Sequence, residues 1–294
     1  MAQLSPMRAP AYTSPILWVL FSTFLWTVVF AALKIIDASI SVFQLMLLRY
    51  LGAFLTIALI LSFKGGIRTY LSARPVSHFL RATTGVGGAV AITWASSRMP
   101  LVDATAIGLL YGVFAMALGA IFLKERVSFP QLISVCVVLS GVALVMLARG
   151  AFQQGVYAFA AIIAVLGAVS FAIEGVLIAL LGRRETAWTV MLYVTVYGFL
   201  IMAPLAWIYW QAMPLQVAIF CMLLGPVSLL AQYGTIRGYR EAPLTVVAPI
   251  DYAWIVFSVL LGVLIFGEIP GLLTFVGCLV ILIGGAILTV VRSR

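Results

Sequence analysis

Apolar residues run through this chain in ten long blocks, and polar residues gather in the short stretches between them. The blocks fall at 15–33, 42–62, 76–97, 101–123, 129–148, 156–181, 187–209, 215–235, 243–266 and 270–291. Each is roughly 17–25 residues long, the length an α-helix needs to cross the hydrocarbon core of a bilayer. In lipid every backbone amide must find its partner within the protein, so the pattern predicts an all-α membrane protein of ten transmembrane helices. The connections are too short for a soluble domain. The first run carries Lys34 near its end and lacks a small-residue cleavage site, so it is expected to remain a helix instead of being cut off as a signal.

One unit of the pattern is written twice. At a constant offset of 143 residues, Pro100-Leu101 matches Pro243-Leu244, Leu118-Gly119 matches Leu261-Gly262, Glu125 matches Glu268, and Gly141 matches Gly284. The turn between the paired helices is Lys124-Glu125-Arg126 in the first copy and Gly267-Glu268-Ile269 in the second. Cations mark the cytoplasmic side of a membrane protein, so copies that differ in this way are expected to face opposite sides. With the N-terminus placed inside, 13 of the 17 Lys and Arg fall on the inner side and three on the outer, with Arg49 inside a span. The chain therefore divides into two inverted five-helix repeats, 1–150 and 151–294, with both termini cytoplasmic. Trp188 at an inner end, and Trp207, Tyr209 and Trp210 at an outer one, suit an interfacial aromatic belt.

Composition excludes other classes. Hydrophobic residues make up 65% of the chain and charged residues 9%, where a soluble domain carries about a quarter charged. The net charge of +9 is spread singly between apolar runs, forms no basic face, and predicts no nucleic-acid partner. Cys136, Cys221 and Cys278 lie within apolar runs without metal-ligand spacing, so neither disulfides nor a metal site is expected. No phosphate-cradling motif is present, no cofactor is implied, and transport would run on gradients. Gly85, Gly87 and Gly88 suit close helix packing.

The repeated segment resembles the EamA unit of the drug/metabolite transporter superfamily. The resemblance rests on Pro100, Glu125, Ser128, Gln131 and Gly141 in the first copy, and on Pro243, Gly267-Glu268, Gly277, Gly284 and Gly285 in the second. Leu25-Trp26 in the first helix and Arg49-Tyr50 in the second extend it. Lys124 departs from the usual Gly before the turn acid, and Ser134 from a frequent Gly. In length and layout the chain is similar to the YddG-type amino-acid exporters. The resemblance implies a multi-pass inner-membrane transporter that moves small metabolites outward, amino acids being the leading class.

Several residues are candidates for that work. Glu125 and Glu268 recur, yet each precedes a helix whose first amides lack partners, and a cap or turn role suits them better. Arg49, Glu174 and Asp251 lie within spans, where charge is costly unless it is paired or faces a cavity. Arg49 is the candidate for charge pairing; Glu174 and Asp251 are candidates for substrate contact and, if they face each other, for proton coupling. Tyr111 and Trp254 align at the repeat offset near mid-membrane, where a transporter of inverted repeats binds its substrate. Trp26, Tyr197, Tyr233 and Tyr252 are further candidates by depth. His78, the single histidine, is expected at a helix start near the interface. Pro249, lacking an amide hydrogen, is expected to loosen the ninth helix near Asp251.

The rival readings are weaker. An intramembrane enzyme needs a nucleophile with a base or a paired-carboxylate motif, and only Glu174 with Asp251 approaches one. A channel needs a continuous polar stripe, which no span carries.

Overall fold

Residues 13–36, 40–99, 101–124, 127–148 and 155–290 are described by a computed structural model, and all ten apolar runs are helical in it. The first half contains α1 (Thr13–Ile36), α2 (Val42–Phe63), α3 (Pro75–Ser96), α4 (Leu101–Gly108), α5 (Leu110–Phe122) and α6 (Phe129–Ala148). The second contains α7 (Gly155–Gly182), α8 (Ala187–Ile208), α9 (Leu215–Glu241), α10 (Leu244–Val247), a 3₁₀ segment (Ala248–Tyr252), α11 (Ala253–Phe266) and α12 (Leu272–Val290). A 3₁₀ turn, Ile67–Tyr70, lies between α2 and α3. No strand occurs among the described residues.

Six of these helical stretches are long and apolar enough to cross a membrane: Thr13–Ala32, Val42–Phe63, Ala158–Gly182, Ala187–Ile208, Leu215–Glu241 and Leu244–Phe266. Ala106–Phe122, Leu132–Val145 and Leu272–Ile287 are apolar but shorter. α3 joins neither group, because Ser77, His78, Arg81, Thr83 and Thr84 dilute its first half. Phe63, Trp207, Ile269 and Leu272 are each at least 80% exposed, as side chains facing hydrocarbon would be. Trp207, Tyr209 and Trp210 sit exposed at the α8–α9 connection, whereas Trp188 is covered by the Lys64 ammonium, 5.0 Å above its ring.

Local chemistry sets the helix ends. Ser41 and Gln44 form a reciprocal capping box at the start of α2, each side chain accepting from the other's backbone N–H at 3.2 Å. Pro75 opens α3, where a missing N–H costs nothing. Gly267 ends α11 at φ 64, and the Glu268 N–H reaches back to the Gly262 carbonyl at 3.0 Å. The Gly267 N–H donates to the Val263 carbonyl at 3.2 Å, closing α11 in an αL turn. α12 begins only at Leu272, so Glu268 lies in the turn between the two helices. Glu125 and the side chain of Gln131 lie outside the described residues, as do Arg8, Arg126, Arg149, Arg292 and Arg294 of the charge count.

Lys124 occupies the position equivalent to Gly267 and adopts the same left-handed conformation at φ 55. A Cβ is unfavourable there by about 1 kcal/mol or somewhat more. Lys124→Gly should therefore raise stability by about 1 kcal/mol, seen as a higher unfolding midpoint in micelles.

The packing repeats with the sequence. α1 packs on α9 and α3 on α7, which are equivalent pairs under the repeat; α2 meets α8, and α6 meets α12. At the last contact a methyl group on Gly141 would come within 2.8 Å of the Gly277 carbonyl, and one on Gly277 within 2.8 Å of the Gly141 carbonyl. Ser134 donates to the Gly284 carbonyl across the same interface. Small residues here let two backbones touch, the usual basis of helix association in lipid. Cys221 and Cys278 are buried, while Cys136 is exposed on α6.

Both repeat copies break the same helix at the same place. α4 ends at Gly108 and α5 begins at Leu110, leaving Leu109 between them. Adding the offset to Leu109 gives Tyr252, the last residue of the 3₁₀ segment before α11. Interrupted helices at matching positions are a common way for a membrane protein to open a site at mid-depth.

Candidate functional site

The two interruptions flank a cavity of about 130 Å³ walled by both halves. α1, α2, α3 and α5 contribute from the first half; α7, α8, α9, the 3₁₀ segment and α11 contribute from the second. Six of the candidates named from sequence line it: Trp26, Arg49, Tyr111, Glu174, Asp251 and Trp254. Asp251 and Trp254 share a face because a 3₁₀ turn repeats every three residues. Tyr252, a third of a turn away, points elsewhere.

Three candidates stand outside the cavity. Tyr252 is buried between α5 and α12, where a methyl group on Gly112 or Gly285 would come within 2.8 or 2.7 Å of its ring or hydroxyl. Tyr197 lies edge-on to Phe79 at 5.5 Å and against Tyr193. Tyr233 is held between Trp18 and Trp188, at 5.6 and 5.7 Å. Depth along a helix identifies neither the face nor the neighbour, and these three have packing roles.

Asp251 is the polar hub of one end of the cavity. Thr23 donates to its Oδ1 at 2.5 Å, Tyr239 to its Oδ2 at 2.8 Å, and Tyr111 also donates to Oδ2. The three hydroxyls come from α1, α9 and α5, so this carboxylate ties together helices from both halves. No cation lies within 4 Å of it among the described residues.

The other end is cationic. Arg49 is 3% exposed, and its guanidinium stands 4.4 Å from the Tyr50 ring centroid and 5.8 Å from that of Trp26. One of its NH₂ groups points to the Met46 sulfur at 3.4 Å. Among the described residues no carboxylate lies within ion-pair distance of it, and its Nε–H has no acceptor. The Trp254 indole N–H is likewise buried without a partner. Buried donors without acceptors are costly, and here they border a cavity.

Glu174 is engaged differently. Arg81, fully buried, reaches it at 3.3 Å and also donates to the Val190 carbonyl at 3.2 Å. Gly85 makes room for the pair, since a methyl group there would come within 2.5 Å of the Glu174 carboxylate. Arg49 lines the same cavity as Glu174 without pairing to it among the described residues. From sequence Arg81 counts among the inner-side cations, although it falls within the third apolar run. Its spacing from Gly85, one helical turn on the same face, was the available signal.

Tyr50, Tyr239, Thr23 and Gln232 line the cavity as well and were not singled out, since uncharged side chains in an apolar run carry no mark of facing inward. His78, in the first turn of α3, is buried: it pairs with Glu185 at 2.7 Å and stacks on Tyr193 at 4.4 Å. Ser72 donates to the same Glu185 at 2.5 Å. Among the described residues no group of three or more His, Cys, Asp and Glu is arranged to hold a metal.

Comparison with known proteins agrees with this architecture. The model of the EamA-like transporter family matches residues 13–147 and again 158–290. The chain is 27% identical to the pseudopaline exporter CntI of Pseudomonas aeruginosa, over 92% of this chain and 94% of the exporter. It is 23% identical to an S-adenosylmethionine uptake transporter of Rickettsia conorii, over 74% of this chain and 72% of that one. It is 25% identical to a riboflavin transporter of Vibrio cholerae, over 76% and 75%. A crystal structure of a protein with 19% sequence identity shares the fold at a TM-score of 0.71, covering 95% of this chain and 97% of the other.

Proposed function

The chain belongs to the EamA-like transporter family, and from that premise we propose that it exports small zwitterionic metabolites, amino acids foremost, across the inner membrane. Transport would proceed by alternating access, the inverted halves 1–150 and 151–294 rocking about a shared site. The observation that carries this reading is a pair of opposite charges in one cavity, neither neutralised by an ion pair among the described residues. Arg49 supplies the positive end and Asp251 the negative end.

The two charges border neighbouring turns of α1. Thr23, which holds Asp251, and Trp26, which lies under Arg49, are three residues apart on α1, a rise of about 4.5 Å. A substrate carboxylate would pair with the guanidinium and its ammonium group with Asp251, satisfying two groups that are costly when left alone. Trp26, Phe30, Phe171 and Trp254 offer apolar wall to a side chain. An exporter among the relatives supports the outward direction.

An enzyme reading has no support in the geometry. Glu174 is committed to Arg81, and Asp251 to three hydroxyls, leaving no nucleophile paired with a base.

Purified protein in vesicles should exchange amino acids with intact carboxylate and ammonium groups. N-acetylated amino acids and methyl esters, each lacking one charge, should be carried at least about tenfold less well, since losing one charge-assisted hydrogen bond costs about 1.5 kcal/mol or more. Equal transport of the parent and both derivatives would overturn the reading.

A further inference from the structure

Among the described residues Asp251 has no counter-ion within ion-pair distance. α10, α11 and α12, which adjoin or pack on its segment, carry no charged side chain, and Cys278 is their only titratable one. On α1 the single cation is Lys34, eleven residues beyond Thr23, about 16 Å away along the helix. α5 brings only Tyr111, and α9 brings Tyr239. Arg237 and Arg240 flank Tyr239, and Arg237 is paired with Glu241 at 2.8 Å. Tyr252 is adjacent but faces α12. Across the cavity Arg49 and the Glu174–Arg81 pair complete the list.

What holds the carboxylate is a cage of three hydroxyl donors, and a cage of donors has a chemical consequence. An ionised carboxylate accepts all three bonds. A protonated one becomes a donor itself, so the set then holds one hydrogen too many and at least one hydroxyl must turn away or become an acceptor. Thr23 is placed to do so, since its hydroxyl also lies 2.8 Å from the Val19 carbonyl and can turn its hydrogen there while accepting from a protonated Oδ1. Adding a proton therefore reverses the bond between α1 and the 3₁₀ segment, while Tyr111 and Tyr239 stay on Oδ2.

We propose that Asp251 is the coupling site of this transporter, binding either a proton or the substrate ammonium group but not both. A proton taken up on the outer side neutralises the carboxylate and releases the substrate ammonium. On the inner side a new substrate displaces that proton to water. The proposal rests on reading the cavity as a zwitterion site, and it narrows the role expected from sequence for Glu174 and Asp251 to Asp251 alone.

Infrared difference spectroscopy on the purified protein tests it, with a mixture of the standard amino acids as probe. As pH falls without substrate, the wild type should gain a protonated-carboxyl band that Asp251→Asn lacks. Adding amino acids should remove the band and release about one proton for each molecule bound. Tyr239→Phe, which keeps the carboxyl but removes one donor, should move the midpoint of the band upward by about one pH unit. No band assignable to Asp251 and no shift in Tyr239→Phe would overturn the proposal, as would a band that persists with amino acid bound. A band that appears while no amino acid binds would establish the proton site and overturn the zwitterion reading instead.

Discussion

Arg49→Gln should raise the KM for amino-acid exchange by about 100-fold while leaving the unfolding midpoint unchanged or slightly higher. The two halves of this expectation have one cause. Arg49 is buried with no carboxylate partner among the described residues, only the faces of Trp26 and Tyr50 and the Met46 sulfur. Without substrate its charge is a cost to the fold, and removing it relieves that cost. With substrate bound, the same charge meets a carboxylate. Leaving a buried carboxylate unpaired costs about 3 kcal/mol, which is roughly 100-fold in affinity. Arg49→Lys keeps the charge but not the two-pronged geometry, and should recover about tenfold of the loss. A lower midpoint with unchanged KM would make Arg49 a structural residue.

Much of the fold was legible because membrane helices announce themselves by length and apolarity. Every predicted run is helical, and the interruptions at Leu109 and Tyr252 fall at the 143-residue offset of the repeat. α3 shows the limit of that signal, since its polar first half hides a helix that packs inside the protein. For the site, residues whose presence in lipid is costly were the ones sequence found. Arg49, Glu174 and Asp251 all face the cavity, since a charge within an apolar run has few other places to go.

Facing was harder to read. Tyr111 and Trp254 line the cavity while Tyr197, Tyr233 and Tyr252 do not, and nothing in an all-apolar helix distinguishes its inward face. Partner choice was not legible at all. Glu174 takes Arg81, a residue counted among the inner-side cations, and Asp251 takes three hydroxyls, because pairing depends on which helices the fold brings together. Glu268 lies in the five-residue break between α11 and α12, a length that no propensity specifies.

Arg81 and Arg49 are buried to nearly the same degree, at 0% and 3% exposure, yet their removal should have opposite effects on stability. Arg81 already holds a counter-ion in Glu174 at 3.3 Å and donates to the Val190 carbonyl. The pair also joins α3 to α7, so it fastens the first half to the second. Arg81→Gln strands the Glu174 carboxylate, and Glu174→Gln strands the guanidinium; each should lower stability by about 3–5 kcal/mol. Replacing both, as in Arg81→Met with Glu174→Gln, leaves no stranded charge and should recover most of that loss, giving a coupling energy of about 2 kcal/mol or more in a double-mutant cycle. Titration with a denaturing detergent measures all four proteins on one scale. If the single losses simply add in the double variant, Arg81 and Glu174 act independently and the pair does not hold the halves together.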